Sequence, residues 1–80
     1  MVRIRSVRPL DGLRVELGLT DGSTRIVDVG PLLRGPMLEP LRRDADLFRA
    51  VRVDETLGTI VWPNDADLDP DVLVLSLPPL

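Results

Sequence analysis

The stretch Leu10-Asp11-Gly12-Leu13-Arg14-Val15-Glu16-Leu17-Gly18-Leu19-Thr20-Asp21-Gly22-Ser23 contains two Asp-Gly pairs separated by an alternating apolar segment. Asp-Gly in that setting signals a two-residue type I′ hairpin loop, in which both central residues take positive φ. Two such loops in series predict a three-stranded antiparallel meander. If the loops close on Asp11-Gly12 and Asp21-Gly22, Leu10 faces Leu13 and Thr20 faces Ser23, and the register of all three strands follows by counting back. One face then carries Val2, Ile4, Leu13, Val15, Leu17, Leu19 and Ile26 and is the expected core. The other carries Arg3, Arg5, Arg14, Glu16 and Arg25, with Val7, Val27 and Val29 among them. Asp28 falls on the core side within reach of Arg8, which predicts an Arg8–Asp28 pair at the buried edge.

Beyond the meander, Gly30-Pro31 and Gly35-Pro36 interrupt the chain, and Pro40 restricts the Pro36-Met37-Leu38-Glu39 segment to about one helical turn. Asp44 is an expected N-cap for a short helix over Ala45 to Ala50, with Leu47 inward and Phe48 beside it. Val51-Arg52-Val53-Asp54 and Thr59-Ile60-Val61-Trp62 flank Glu55-Thr56-Leu57-Gly58, a loop that pairs Val53 with Ile60 and Val51 with Trp62. Asp69-Pro70-Asp71 has the pattern of an N-cap followed by Pro at the first helical position, and helix and strand both remain open for Val72 to Leu77. The pattern as a whole predicts one α+β domain over residues 1–80, an antiparallel three-stranded meander plus a second hairpin, with one or two short helices packed on one face.

The 80 residues carry 10 basic and 13 acidic side chains, a net charge of -3, and no Cys, His or Tyr; every base is Arg. This inventory removes disulfides, thiolate and imidazole metal ligands, Schiff-base lysine and the commonest general acid or base. Only Ser, Thr and carboxylates remain, in a chain too small to enclose much, so the expectation is not an enzyme, with no catalytic residue, cofactor or metal. Leu, Val and Ile number 28, enough for one modest core. No apolar run is long enough to span a bilayer, and Met1-Val2-Arg3-Ile4-Arg5 alternates where a signal peptide would be continuously apolar, which predicts a cytoplasmic protein without membrane contact. Charge divides along the chain: residues 1–53 hold ten Arg against seven acids, a balance of +3, while 54–80 hold six acids and no base.

Asp65-Ala66-Asp67-Leu68-Asp69-Pro70-Asp71 begins like a calcium loop, but Pro70 stands where the sharp-turn Gly belongs and Ser76 where the bidentate Glu belongs. The row reads instead as a turn and helix start. Trp62 and Phe48 read as packing residues. The candidate interaction surface is Arg3, Arg5, Val7, Arg14, Arg25, Val27 and Val29, a mixed Arg-Val sheet face of the kind that partner surfaces show. An Arg row also suits phosphate, which makes a DNA-associated regulator the alternative. Glu16 inside the row, the lack of an aromatic on that face and the acidic net charge weigh against nucleic acid. The apolar residues 73–80 add self-association to the expectations.

Five pieces in order resemble a family. They are Ile4-x-x-Val7-x-Pro9-Leu10; Leu17 to Gly22; Val27-Asp28-Val29; Leu47-Phe48 leading to Val51-Arg52-Val53-Asp54; and Leu57-Gly58-Thr59-Ile60-Val61-Trp62-Pro63-Asn64 with Ala66 to Leu73. Together they look like the small bacterial proteins grouped as domain of unknown function 2442, the Gly-Thr-Ile-Val-Trp-Pro-Asn block being the most specific. Members usually carry Gly after that Asn, where this chain has Asp65. The resemblance implies a small α+β fold, genes beside short uncharacterised or toxin-like proteins, and some longer relatives with a helix-turn-helix domain. It implies no activity and no site residues. The expected function is a non-catalytic protein-interaction module, an antitoxin-like or regulatory partner of a neighbouring gene product.

Overall fold

The computed structural model describes residues 2–76. Strands β1 (Ile4–Pro9), β2 (Arg14–Leu19) and β3 (Thr24–Asp28) form an antiparallel sheet in the order β1-β2-β3. A 3-10 turn at Gly30–Leu32 leads to two short helices, α1 (Pro40–Arg43) and α2 (Ala45–Arg49). A separate hairpin of β4 (Arg52–Asp54) and β5 (Thr59–Val61) follows, and then a π-helical segment at Val72–Ser76. The architecture is α+β, with a meander, a second hairpin and short helices.

Both loops of the meander are one residue longer than Asp-Gly alone predicts. Leu10 N donates to Arg14 O at 2.9 Å across Asp11-Gly12-Leu13, and Leu19 N donates to Ser23 O at 2.9 Å across Thr20-Asp21-Gly22. The cause lies in the backbone. Gly12 (φ 66°) and Gly22 (φ 89°) take the left-handed conformation, but Asp11 and Asp21 do not, and a type I′ loop needs positive φ at both positions. Asp21 instead uses its side chain to close the wider turn: Oδ1 accepts from Ser23 N at 2.9 Å and from Ser23 Oγ at 2.6 Å.

Because side chains alternate across a strand, a slip of one position moves a whole strand's side chains to the other face. The β2–β3 pairs are Glu16 with Ile26, Val15 with Val27 and Leu17 with Arg25. Val27 and Val29 are therefore in the core, each 0% exposed, not beside the arginines, and Ile26 turns to the outer face. Arg25 turns inward, where its Nε donates to Leu73 O at 3.2 Å. Along β1 the same slip pairs Val7 with Leu17, but an irregularity between Ile4 and Ser6 restores the pairing of Ile4 with Leu19 and keeps Ile4 buried. The Arg8–Asp28 pair does not form. Arg8 meets Glu16 at 3.1 Å, and Asp28 is exposed with its Oδ1 accepting from Gly30 N at 2.8 Å.

The core lies between the inner face of the sheet and the rest of the chain: Ile4, Val15, Leu17, Val27 and Val29 join Leu33, Leu41, Phe48, Ile60, Trp62 and Leu73. Asp44 caps α2 as expected, its Oδ1 accepting from Leu47 N at 3.0 Å, but Phe48 is the buried residue of that helix and Leu47 is only half-buried. Pro40 opens α1 rather than closing a turn, as suits a residue with no N–H to leave unpaired. The second hairpin has the expected register, with Val53 opposite Ile60. After Asp69, whose Oδ1 accepts from Asp71 N at 2.8 Å, the chain is helical through Ser76, so helix prevails over strand there. The expectation for residues 77–80 lies outside the described residues.

Candidate interaction surface

The seven residues that the type I′ register groups on one face are dispersed. Val27 and Val29 are core, Val7 is half-buried on the inner side opposite Leu17, and Arg25 reaches Leu73 O. Arg3 lies along the second hairpin's loop, its Cδ about 3.1 Å from where a Cβ on Gly58 would stand. Arg5 is exposed at the irregularity in β1, and Arg14 is exposed at the start of β2. No Arg row runs across the sheet, so the phosphate-binding geometry expected of Arg3, Arg5, Arg14 and Arg25 is not assembled.

A different outer face takes its place. Residues directly opposite in an antiparallel pair share a side, which puts Ser6, Arg8, Arg14, Glu16, Gly18, Thr24, Ile26 and Asp28 together. Ser6, Arg8, Arg14, Thr24 and Asp28 are exposed, and the helices and second hairpin are joined to the opposite side through the core. The Arg8–Glu16 pair, with Arg8 67% exposed, contributes about 0 to 1 kcal/mol and leaves the face open. Ile26, half-buried and opposite Glu16, is the apolar centre of this face.

At the Asp11-Gly12 end the outer face continues into a depression of about 550 Å³ formed by Pro9, Leu10, Asp11, Arg14, Ile26 and Arg49. A smaller hollow of about 360 Å³ shares Leu10, Asp11 and Arg49 with it and extends to Arg42 and Arg43. A larger one of about 990 Å³, holding Leu13, Asp28, Arg34, Arg42 and Arg43, adjoins that. Arg42 is held by its own contact, Nη1 donating to Gly30 O at 2.5 Å, and Arg43 pairs with Glu39 at 2.5 Å. The sequence reading missed Arg34, Arg42, Arg43 and Arg49, although four of the ten arginines within residues 34–49 was a visible signal. The acidic stretch 65–71 does not converge on a cation: among the described residues no group of three or more carboxylates is placed to hold a metal.

The model of the family described as Protein of unknown function (DUF2442) matches residues 4–78. The chain belongs to this family. No curated protein and no solved structure matches it. In this DUF2442 chain the Gly-Thr-Ile-Val-Trp-Pro-Asn block is occupied with holding the fold together. Thr59 Oγ1 donates to Leu68 O, Trp62 Nε1 donates to Phe48 O at 3.0 Å, and the two rings sit 6.0 Å apart. Asn64 Oδ1 accepts from Ala66 N at 3.2 Å while its Nδ2 donates to Met37 O at 2.9 Å, tying the β5 turn to the segment before α1. Asp65 sits at φ 68°, a left-handed position that Gly adopts without steric cost. The most specific stretch of the DUF2442 pattern thus serves packing, which leaves the open sheet face and the Arg-lined hollows as the candidate surface.

Proposed function

We propose that this chain is a non-catalytic protein-interaction module, a regulatory companion of a second protein, working through the outer face of the three-stranded sheet. The observation that carries the reading is Ile26, an apolar side chain on a face that no described element covers, set among Arg8, Arg14, Glu16 and Thr24. A mixed apolar and charged patch of this kind is the composition of non-obligate protein interfaces. An antitoxin-like partnership with the product of a neighbouring gene, in the cytoplasm, is the specific form proposed. No helix among the described residues is long and apolar enough to cross a membrane.

The test is capture of the neighbouring gene's product by the purified chain and by an Ile26→Asp variant. Capture that is lost on placing a carboxylate at the centre of the face supports the reading. Equal capture by both chains removes this face from it, and no capture at micromolar concentration removes the proposed partnership. Sizing chromatography of dilute samples separates capture of another protein from self-association, the second reading of an open sheet face.

A further inference from the structure

We infer that the depression at the Asp11-Gly12 end of the sheet is a docking site for an acidic, leucine-bearing peptide segment of the partner; this inference rests on the interaction-module reading above. Its apolar lining is Pro9, Leu10 and Ile26, and its guanidinium groups come from Arg14 on β2 and Arg49 at the end of α2. Both arginines are exposed, and neither has an ion-pair partner among the described residues. Arg49 is carried on a fixed element, because the neighbouring Phe48 is buried and its carbonyl accepts from Trp62 Nε1. A volume of about 550 Å³ suits a few side chains rather than a whole domain.

Charge complementarity decides the occupant. Two unpaired, planar guanidinium groups favour carboxylates, which they bind in bidentate fashion. Asp11 is the one acid among the residues that line the depression, against Arg14 and Arg49, so the lining is net positive, and Asp28, opposite Arg14, is engaged by Gly30 N. Arg42 in the adjoining hollow, held by Gly30 O and without an ion-pair partner among the described residues, extends the positive lining past the loop. Elsewhere the six acids of residues 54–80 repel an acidic segment, which steers it toward this end. The lining residues Pro9, Leu10 and Ile26 in turn take an aliphatic side chain, whose burial adds affinity that a polyanion cannot gain. Nucleic acid fits less well: the chain's two aromatic rings, Phe48 and Trp62, are 2% and 1% exposed and offer no base-stacking surface.

Fluorescence polarisation with a labelled short peptide of alternating Glu and Leu tests the site, using the full chain and an Arg14→Gln/Arg49→Gln double variant. The expected result is binding that weakens about tenfold or more in the double variant, because charge-assisted hydrogen bonds are lost. It weakens likewise when Gln replaces Glu, or Ser replaces Leu, in the peptide. Unchanged Trp62 fluorescence in the variant shows that the fold is intact. Absence of binding by the wild-type chain, equal binding by the double variant, or equal binding of the Gln peptide overturns the inference. So does a DNA duplex that displaces the peptide and itself needs the two arginines, since the site is then one for phosphate. A captured partner that binds the double variant but not Ile26→Asp removes the docking site and leaves the interaction module standing.

Discussion

Val27→Thr replaces a methyl with a hydroxyl of nearly the same volume on the same β-branched frame, so strand propensity and packing shape barely change. What changes is the polarity of a side chain that is 0% exposed and packed in a cluster with Val15, Leu17 and Val29. A hydroxyl buried there without a partner costs about 1 to 3 kcal/mol. The whole domain is stabilised by about 4 to 12 kcal/mol on the usual per-residue scale, so a loss near 2 kcal/mol is a substantial fraction of it. With a urea dependence of about 1 to 2 kcal/mol per molar, the unfolding midpoint falls by about 1 to 2 M. Trp62, the only Trp, is buried against Phe48 and reports unfolding by its fluorescence. Ile26→Thr, on the outer face, lets the new hydroxyl reach water and costs about 1 kcal/mol or less. If the type I′ register held, Val27 would face solvent and Val27→Thr would fall within about 0.5 kcal/mol of wild type. That result, or a larger loss for Ile26→Thr than for Val27→Thr, refutes the burial reasoning.

Asp65→Gly relieves a left-handed residue at φ 68° and raises stability by about 0.5 to 1 kcal/mol, seen as a Tm increase of a few degrees in a thermal melt. Asp44→Ala removes the α2 cap and lowers stability by about 1 kcal/mol in the same melt. Asp21 titrates below the ordinary carboxylate range because the Ser23 hydroxyl and backbone N–H donate to its charged form. The stabilisation it gives is therefore present above the ordinary carboxylate pKa and fades as pH falls through the lowered folded value. An NMR titration shows this depressed midpoint, and Ser23→Ala moves it back up.

The meander, the second hairpin and the Asp44 cap were legible because each has a local cause: an Asp-Gly bend between alternating segments, a four-residue loop, an acceptor ahead of Leu47. Loop length was not. Asp-Gly serves a two-residue loop when both residues take positive φ and a three-residue loop when only Gly does, and the choice rests on Asp21 bonding Ser23 rather than adopting that backbone. One position then reassigned Arg25, Ile26, Val27, Asp28 and Val29 to the opposite faces. The irregularity at Arg5 had no sequence signal, yet it spared Ile4. The Arg-lined hollows were hidden for another reason. Arg34, Arg42, Arg43 and Arg49 come from a segment broken by Gly30-Pro31, Gly35-Pro36 and Pro40, where periodicity is lost and only tertiary packing brings them beside Leu10 and Leu13.

The shifted β2–β3 register is measured most directly by NMR contacts between α-protons, which are close only across non-hydrogen-bonded antiparallel pairs. Leu19 with Ser23 and Leu13 with Val29 are joined by backbone hydrogen bonds, so alternation makes Arg14–Asp28, Glu16–Ile26 and Gly18–Thr24 the close pairs. Strong α-proton contacts between Glu16 and Ile26, and between Gly18 and Thr24, are the expected result. Contacts that instead follow the two-residue loop, pairing Leu17 with Ile26 or Leu19 with Thr24, would return Val27 to the surface and take the proposed interaction face away.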